Sequence, residues 1–359
     1  MKQKHLVSVV LPTYNGSKWL SQSIDSILKQ TYRNLELIIV DDASTDSTPE
    51  LIMSFASRDP RIRIISHKSN KKLPQSLNDG FAIANGDYFT WTSDDNWYEP
   101  TAIEEMVTAL TNSKYDMVIA DINHYQDKEF LKVYETNCSV DSLSRANTIG
   151  ACFLYTREIA EKVGKYDTEK FLVEDYDYWL RILLSGNILH LNRVLYNYRY
   201  HSSSLTSTRL NDIKYADLLL KYEVYPMLKN MFEKKADLSE MAHYVGYITA
   251  VNDLIEKLKK NCIRVVNIYG SGFICFLLLD YLTKNNISVN HIFDSSPDII
   301  SSKRYGYTVE ELFSTNLSEN DVILVASDKY AEEISQRVNE YSIQRNTKLT
   351  VIIPGFSKW

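Results

Sequence analysis

Features that would assign a function at once are scarce in this chain of 359 residues. The four cysteines are scattered, without the paired spacing of a zinc site or a disulfide framework. No apolar run approaches the roughly 18–20 residues of a membrane-spanning helix. The apolar segment behind the basic N-terminus is too short for a signal peptide. The net charge of −6 comes without a strongly basic domain, which argues against a nucleic-acid partner. We therefore expect a reduced, cytoplasmic protein.

The composition and length favour a globular protein with more than one core. Hydrophobic residues make up 44% of the chain and charged residues 24%, which is typical of soluble globular proteins. A chain of this length exceeds one typical domain. No internal repeat or low-complexity tract is apparent.

The most informative segment runs from residue 8 to residue 48, SVVLPTYNGSKWLSQSIDSILKQTYRNLELIIVDDASTDST. Its apolar residues predict a strand over Leu6–Leu11, an amphipathic helix beginning at Leu20, and a second strand over Leu35–Val40. Such a unit makes a parallel pair of strands, and ligands collect beyond their carboxyl ends. Asp41 and Asp42 lie there. The pattern therefore predicts a nucleotide pocket in an α/β fold.

The same segment resembles the opening of the inverting family 2 glycosyltransferases, which have the GT-A fold. These enzymes transfer a sugar from a nucleotide-diphosphate donor to an acceptor hydroxyl. The resemblance rests on PTYNG and IVDDASTDST and covers roughly the first 205 residues. It continues, in the family's order, through TSDDN at 92–96, VGKYD at 163–167, EDYDYWLR at 174–181 and YRYHSSS at 198–204.

The resemblance implies how a donor, most simply a UDP-sugar, would be held. An Asp in the position of Asp41 accepts the N–H of uracil, and the counterpart of Tyr14 lies against the base. The residues predicted to bind the donor nucleotide are Pro12, Thr13, Tyr14, Asn15, Asp41, Asp42, Asn78 and Asp94. For Asp41 and Asp42, capping of the following turn is the structural alternative.

The acidic cluster at 93–95 is predicted to bind a divalent cation, Mn²⁺ or Mg²⁺. Such cations prefer carboxylate and phosphate oxygens, and a metal bridging two phosphates stabilises a leaving diphosphate. The family pattern often begins with Asp where this chain has Thr92, which leaves the number of direct protein ligands open. Asp95 is predicted as a direct ligand. His201 is predicted to approach the metal, and Arg199 to face the phosphates.

The pair Glu174–Asp175 is predicted to carry the proton transfer. In the resembled enzymes the Asp of this pair is the general base that deprotonates the acceptor hydroxyl, while Glu174 would position the acceptor or hold Asp175. A carboxylate in the first turn of a helix is also electrostatically favourable, so helix capping is the alternative. The expected acceptor is a surface polysaccharide or a lipid-linked oligosaccharide, which allows peripheral contact with the inner face of the cell membrane.

Three segments are expected along the chain. Residues 1–205 form the GT-A catalytic domain, 206–261 a helical connector, and 262–359 a small Rossmann-like domain. In the last of these, Gly270-Ser271-Gly272 follows a strand and Asp294 lies at the ribose-binding distance. Cys275 replaces the third glycine, however, so a structural, acceptor-docking or oligomerisation role is favoured over bound NAD.

Two other functions fit the sequence less well. A sugar nucleotidyltransferase would carry a glycine-rich basic loop after the first strand, which the segment 12–16 does not. A non-catalytic sugar-nucleotide sensor or scaffold would have no need of the Glu-Asp pair.

Overall fold

The structure is a computed structural model that describes residues 5–111, 113–327 and 329–355. The chain divides into two compact units, the first ending at Leu238 and the second beginning at Ser239. None of the helices among these residues is both long enough and apolar enough to cross a membrane.

The first half of unit 1 alternates strands and helices. Its elements are β1 (Val7–Thr13), α1 (Leu20–Leu28), β2 (Leu35–Asp41), α2 (Thr48–Ala56), β3 (Ile62–Ser66), α3 (Lys72–Ala82) and β4 (Tyr88–Trp91). β1 and β2 are buried along almost their whole length, because helices cover both faces of a parallel sheet. Helix α1 buries Leu20, Ile24 and Ile27 against this sheet.

β1 lies at the centre of this parallel part and pairs with both β2 and β4. The register sets Thr13 opposite Asp41, and Asp41 opposite Ser66 on β3. The carboxyl ends of these strands therefore meet at one edge of the sheet, as the strand–helix–strand pattern predicts.

The second half of unit 1 extends the sheet with mixed pairing. Its elements are β5 (Trp97–Tyr98), α4 (Ala102–Leu110), β6 (Met117–Gln126), β7 (Glu129–Tyr134), α5 (Val140–Arg145), β8 (Phe153–Thr156), α6 (Arg157–Val163), α7 (Glu174–Ser185), β9 (Ile188–Tyr200), α8 (Leu205–Thr208) and α9 (Leu210–Phe232). The strand order is β3-β2-β1-β4-β8-β6-β9-β5, with β7 paired to β6. This mixed sheet confirms the predicted α/β class.

Two elements are longer than the sequence pattern indicates. The pattern of residues 122–205 is less regular, yet this stretch contains β9, which pairs with β6 through two register shifts. Shifts of this kind break the alternation that marks a strand. The pattern after it indicates two helical runs, Tyr215–Tyr222 and Tyr225–Phe232, which in the structure belong to one helix, α9, with Pro226 inside it. Buried Leu218 and Leu228 hold the helix on either side of the proline.

Helix α9 is anchored within unit 1. The buried Lys221 Nζ donates to the carbonyl of Arg145 at 2.6 Å and to Asp217 Oδ2 at 2.8 Å. Lys170 forms an ion pair with Glu223. The predicted connector, 206–261, is thus divided: α9 belongs to unit 1, and the next helix belongs to unit 2.

Unit 2 is a second α/β unit. Its elements are α10 (Ser239–Lys260), β10 (Val265–Tyr269), α11 (Phe273–Lys284), β11 (Ser288–Phe293), β12 (Lys303–Arg304), β13 (Tyr307–Glu310), β14 (Val322–Val325), α12 (Ala331–Gln344) and β15 (Thr350–Ile352). The strand order is β12-β13-β11-β10-β14-β15, parallel except for β12. This is the predicted Rossmann-like arrangement.

Gly80 sets how closely helix α3 approaches the sheet. A Cβ at this position would lie 2.5 Å from Val10 Cγ1 and 3.2 Å from Val40 Cγ2. We expect Gly80→Ala to lower the free energy of unfolding by about 1 kcal/mol or more, because overpacking outweighs the better helix propensity of alanine. Urea unfolding measures this change. In a Val10→Ala background the space is open, so the cost of Gly80→Ala should shrink there; equal costs in both backgrounds would contradict this packing.

Candidate active site

The loops after β1 and β2 are joined at the carboxyl edge of the sheet. Asp42 N donates to the carbonyl of Thr13 at 2.9 Å. Asn15, at a φ of 55°, donates through its backbone N–H to Ser44 Oγ at 2.9 Å, and its Oδ1 accepts from Thr45 N at 2.8 Å. Asn15 therefore fixes the shape of this edge.

Asp41 and Tyr14 keep groups available for a ligand. Asp41 is buried, and its Oδ1 accepts from Ser44 N at 3.0 Å. Its Oδ2 has no hydrogen-bond partner in the described part of the chain. The Tyr14 ring is 51% exposed. Pro12 lies within β1 opposite Val40 and shapes the strand that leads to this edge.

Asp42 is fully engaged within the protein. Its Oδ1 accepts from Lys71 N at 2.8 Å and contacts His67 Nδ1 at 2.7 Å, while its Oδ2 accepts from Lys72 N at 2.9 Å. These bonds shape the loop before α3 and the first residue of that helix, Lys72, which has a φ of 69°. The structure gives Asp42 a structural role and no support for its predicted contact with the donor.

Asn78 is likewise engaged, and with a distant segment. Its Nδ2 donates to the carbonyl of Tyr166 at 2.8 Å, and its Oδ1 accepts from Tyr166 N at 2.9 Å. The Tyr166 ring stacks on Tyr178 of α7 with centroids 4.0 Å apart. Asn78 thus holds the segment before α7, and its predicted donor contact has no support.

Asp94 is held at the end of β1. Its Oδ2 accepts from Thr13 Oγ1 at 2.5 Å. A Cβ on Gly16 would lie 2.0 Å from the same oxygen, so only glycine leaves room for the carboxyl there. Burial raises the pKa of Asp94 to about 7, and the charge of Asp95 adds to this rise. Thr13 and Asp94 act as one unit at the centre of the edge.

Asp95 and His201 face each other across the site. His201 Nε2 lies 2.9 Å from Asp95 Oδ2, and His201 Nδ1 lies 2.8 Å from Ser203 Oγ. The imidazole packs against the Trp19 ring, with centroids 4.2 Å apart. The other carboxylate oxygen, Asp95 Oδ1, is buried and has no hydrogen-bond partner among the described residues.

These two residues fit a divalent cation. A buried carboxylate oxygen without a partner is costly, and a cation would satisfy it with oxygen and imidazole ligands of the preferred kinds. Among the described residues no group of three or more His, Cys, Asp and Glu side chains could hold an ion. Asp95 and His201 would therefore supply two ligands, and donor phosphates and water the others.

Arg199 is not placed to face phosphates, contrary to the sequence-based expectation. Its guanidinium donates to the carbonyl of Asp95 at 3.0 Å, to the carbonyl of Asp127, and to Gln22 Oε1 at 2.6 Å. It also lies over the Trp97 ring, 4.7 Å from the centroid. Arg199 is buried and positions the backbone of Asp95.

Glu174 and Asp175 open helix α7 as predicted. Asp175 Oδ2 accepts from Asn147 Nδ2 at 2.8 Å, and its Oδ1 from Tyr176 N at 2.7 Å. Glu174 Oε2 accepts from Leu172 N at 2.7 Å. Burial raises the pKa of both carboxyls; that of Glu174 rises to about 8, with the charge of Asp175 contributing.

Tyr198 on β9 lies near both acidic clusters. Burial raises the pKa of this phenol to about 12, and the charges of Asp95 and Asp175 both add to the rise. Both carboxylates therefore lie within electrostatic range of one side chain. Sequence reasoning gave no role to Tyr198, although it opens the YRYHSSS motif, and it missed Asn147, which belongs to none of the motifs.

The raised pKa of Glu174 predicts a pH dependence of stability. A carboxyl titrating near 8 in the folded state and near 4.5 when unfolded contributes stability below pH 4.5 that is lost as the pH rises toward 8. We expect the effect of Glu174→Gln on the free energy of unfolding to be more stabilising at pH 8 than at pH 5, by about 1 kcal/mol or more.

Urea unfolding followed by tryptophan fluorescence measures this change, because Trp19, Trp91, Trp97 and Trp179 lie in unit 1. The exposed Glu158, in the first turn of α6, provides the control Glu158→Gln, whose effect should not depend on pH. A Glu174→Gln effect that is equal at both pH values would contradict the assignment.

Comparison with known proteins agrees with this geometry. Residues 8–164 match the model of glycosyl transferase family 2, and residues 261–349 match a model described as C2185-like, N-terminal. An uncharacterized glycosyltransferase of Rickettsia typhi is 28% identical over 269 residues, 71% of this chain and 80% of the relative. One of Haemophilus influenzae is 28% identical over 323 residues, 75% of this chain and 99% of the relative.

Among solved structures, S. aureus TarS 1–349 in complex with UDP-GlcNAc aligns with a TM-score of 0.53 and 16% identity, covering 78% of this chain and 88% of that one. This chain spans 43% of the longer TarS chain. At this identity the likeness concerns the fold, which is that of the GT-A glycosyltransferases. The segment from β1 to α6 is therefore a glycosyl transferase family 2 domain.

Proposed function

We propose that this protein transfers a sugar from a nucleotide-diphosphate donor, a UDP-sugar, to an acceptor hydroxyl with inversion at the anomeric carbon. The observation that carries the proposal is the unpartnered Asp95 Oδ1 beside His201, on the same sheet edge as Asp41 and Asp94. The UDP-GlcNAc bound to TarS supports the choice of nucleotide. A glycan or lipid-linked glycan of surface polysaccharide biosynthesis, met at the inner face of the membrane, is the acceptor class that family membership favours.

The nucleotide would lie over the loops after β1 and β2. The open Oδ2 of Asp41 can accept the imino N–H of uracil, since a carboxylate only accepts hydrogen bonds and uracil N3 donates. The exposed Tyr14 ring can cover the base. Thr13 and Asn15 support this loop through their own hydrogen bonds.

Asp95 and His201 would hold a divalent cation, Mn²⁺ or Mg²⁺. When bound, the cation offsets the negative charge that develops on the leaving diphosphate. The buried Arg199, beside Asp95, is committed to the carbonyls of Asp95 and Asp127. Its guanidinium is therefore not available to the diphosphate, and the cation would supply this charge.

Asp175 would act as the general base. It accepts the proton of the acceptor hydroxyl as that oxygen bonds to the anomeric carbon, and the bond from that carbon to the diphosphate oxygen breaks with its electron pair leaving on the diphosphate. Attack from the face opposite the diphosphate inverts the configuration. The raised pKa of Asp175 makes its carboxylate a stronger base than an exposed aspartate. Asn147 orients it.

Asp175→Asn should abolish transfer and leave donor binding nearly unchanged. The amide keeps the shape but cannot accept the proton, so we expect a rate loss of about 10²–10⁴-fold, the usual contribution of a general base. Release of UDP from a panel of UDP-sugars, with water or added glycans as acceptor, gives the rate. A thermal-shift titration with UDP gives binding.

Asp177→Asn, on the same helix, is the matched control. Asp177 pairs with Arg181 at 2.8 Å. Its loss should therefore lower the stability of the protein and leave the turnover per folded molecule unchanged. Unchanged UDP release by Asp175→Asn would refute its role as the base. Release of pyrophosphate from a nucleoside triphosphate and a sugar phosphate would instead indicate a nucleotidyltransferase. Donor binding by the wild type without UDP release on any acceptor would favour a scaffold.

Removal of the cation or of Asp95 should have the same effect on donor binding. In the wild type we expect Mn²⁺ to tighten binding of UDP by about tenfold or more, which corresponds to about 1.4 kcal/mol. Asp95→Ala should lose this enhancement. Isothermal titration with UDP, with Mn²⁺ and with a chelator, measures both. Asp25→Ala, which removes an exposed carboxylate of α1 paired with Lys29, should keep the full enhancement; full transfer activity in the presence of a chelator would refute the metal assignment.

A further inference from the structure

Unit 2 contains a cavity that the proposed transfer reaction does not use. It has a volume of about 580 Å³ and is lined by the end of β10, the loops that follow β10, β11 and β14, and the first turns of α11 and α12. This volume lies within the range of sites for small molecules, about 300–1,000 Å³.

The cavity lies where the strand order of unit 2 reverses. From β10 the chain passes to β11 on one side, and it later returns to place β14 on the other side of β10. The loops after β10 and β14 therefore diverge and leave a crevice at the carboxyl ends of the strands. In open α/β sheets this crevice is where ligands bind.

The glycines of the loop after β10 have different roles. A Cβ on Gly270, which has a φ of +105°, would lie 2.9 Å from the carbonyl oxygen of Ala326. Gly270 is therefore required for the close approach of two loops. A Cβ on Gly272 would meet no atom within 4 Å, and its φ of −81° suits any residue. The fold does not require glycine at 272, and the space beside it is open.

The open space adjoins groups that suit an anion. Gly272 caps α11, a helix of twelve residues, and the N–H groups at a helix N-terminus attract phosphate. Arg304 and Lys329 also line the cavity. Asp294 and Glu333 are the acidic residues in its lining. Asp294 Oδ2 is already engaged, since it accepts from both Ser271 N at 3.1 Å and Ser271 Oγ at 2.7 Å.

Asp294 suits a ligand hydroxyl. Its Oδ1 accepts one hydrogen bond, from Ser296 N at 2.9 Å, and a carboxylate oxygen can accept a second. Tyr269 also lines the cavity and is 1% exposed, and its hydroxyl lies near the side chains of Ser295 and Arg337. The hydroxyl of a ligand is therefore expected at Asp294.

We propose that this cavity is a second ligand site, specific for a phosphorylated compound that carries hydroxyl groups. The phosphate binds at Gly272 and the first turn of α11, with Arg304 as its counter-charge, and a hydroxyl donates to Asp294. The ribose phosphate of a nucleotide and a sugar phosphate share this chemistry. The site is distinct from the donor edge of unit 1.

Substitution of Gly272 tests the site without disturbing the fold. Asp and Asn are both preferred at a helix N-cap, so Gly272→Asp and Gly272→Asn should each keep or raise the melting temperature. They differ only in charge. With UMP and glucose 1-phosphate as probes, we expect Gly272→Asp to weaken binding by at least tenfold more than Gly272→Asn.

Arg304 and its neighbour Lys303 give a second matched pair on β12. Both are exposed, but only Arg304 lines the cavity. Arg304→Gln should weaken binding by about tenfold or more, as expected for loss of a charged hydrogen bond. Lys303→Gln should leave it unchanged.

Hydrogen–deuterium exchange on the full chain separates this site from the donor site. Bound probe should protect peptides covering 270–276 and 294–304, whether or not peptides of unit 1 are also protected, and it should do so in Asp95→Ala as well. Tighter binding of UMP would identify a nucleotide site, and tighter binding of glucose 1-phosphate a sugar-phosphate site. The proposal is overturned if neither probe protects these peptides, if uridine and glucose protect them equally, or if Gly272→Asp binds like Gly272→Asn.

Discussion

The hydrogen bond between Thr13 and Asp94 is the contact on which the acidic edge of unit 1 depends. It joins the end of β1 to the loop after β4 and leaves no space for a side chain on residue 16. The carboxyl it holds is buried, so its position is fixed by a single strong partner and the neighbouring backbone. Because Asp95 directly follows Asp94 in the chain, this contact also helps to orient Asp95 toward His201.

The surroundings of Asp95 show how a buried cationic side chain can position a site for a charged ligand. Arg199 is buried between Trp97 and Trp19, and it donates to backbone and to Gln22. Trp19 also supports the imidazole of His201. The guanidinium of Arg199 thus positions the backbone around the site, while Asp95 Oδ1 has no hydrogen-bond partner among the described residues. Such an arrangement costs stability, which is common where a site is preorganised for a ligand.

The sequence predicted the parallel core of unit 1 well, because β1, α1 and β2 have clear periodicity and buried, β-branched strands. Helix α7 was placed by its acidic first turn and apolar face. The pattern does not reveal the long strand β9, because bulges interrupt its alternation, and it indicates two helical runs, Tyr215–Tyr222 and Tyr225–Phe232, where the structure has the single helix α9. For the site, motifs brought Asp95 and His201 together, 106 residues apart. Motifs could not show that the side chains of Asp42, Asn78 and Arg199 form hydrogen bonds within the protein, because such partners depend on tertiary contacts.

Asn78 illustrates what such partners can do. Its amide pairs with both backbone groups of Tyr166, whose ring lies flat on Tyr178, one helical turn from the carboxylates that open α7. An amide of α3, in the first half of unit 1, thereby holds the segment that leads into α7 in the second half. A shift of α3 would be passed to α7 through this amide and through stacked rings, Phe81 of α3 on Tyr166 and Tyr166 on Tyr178, so the spacing between the two halves depends on how these side chains hold one another.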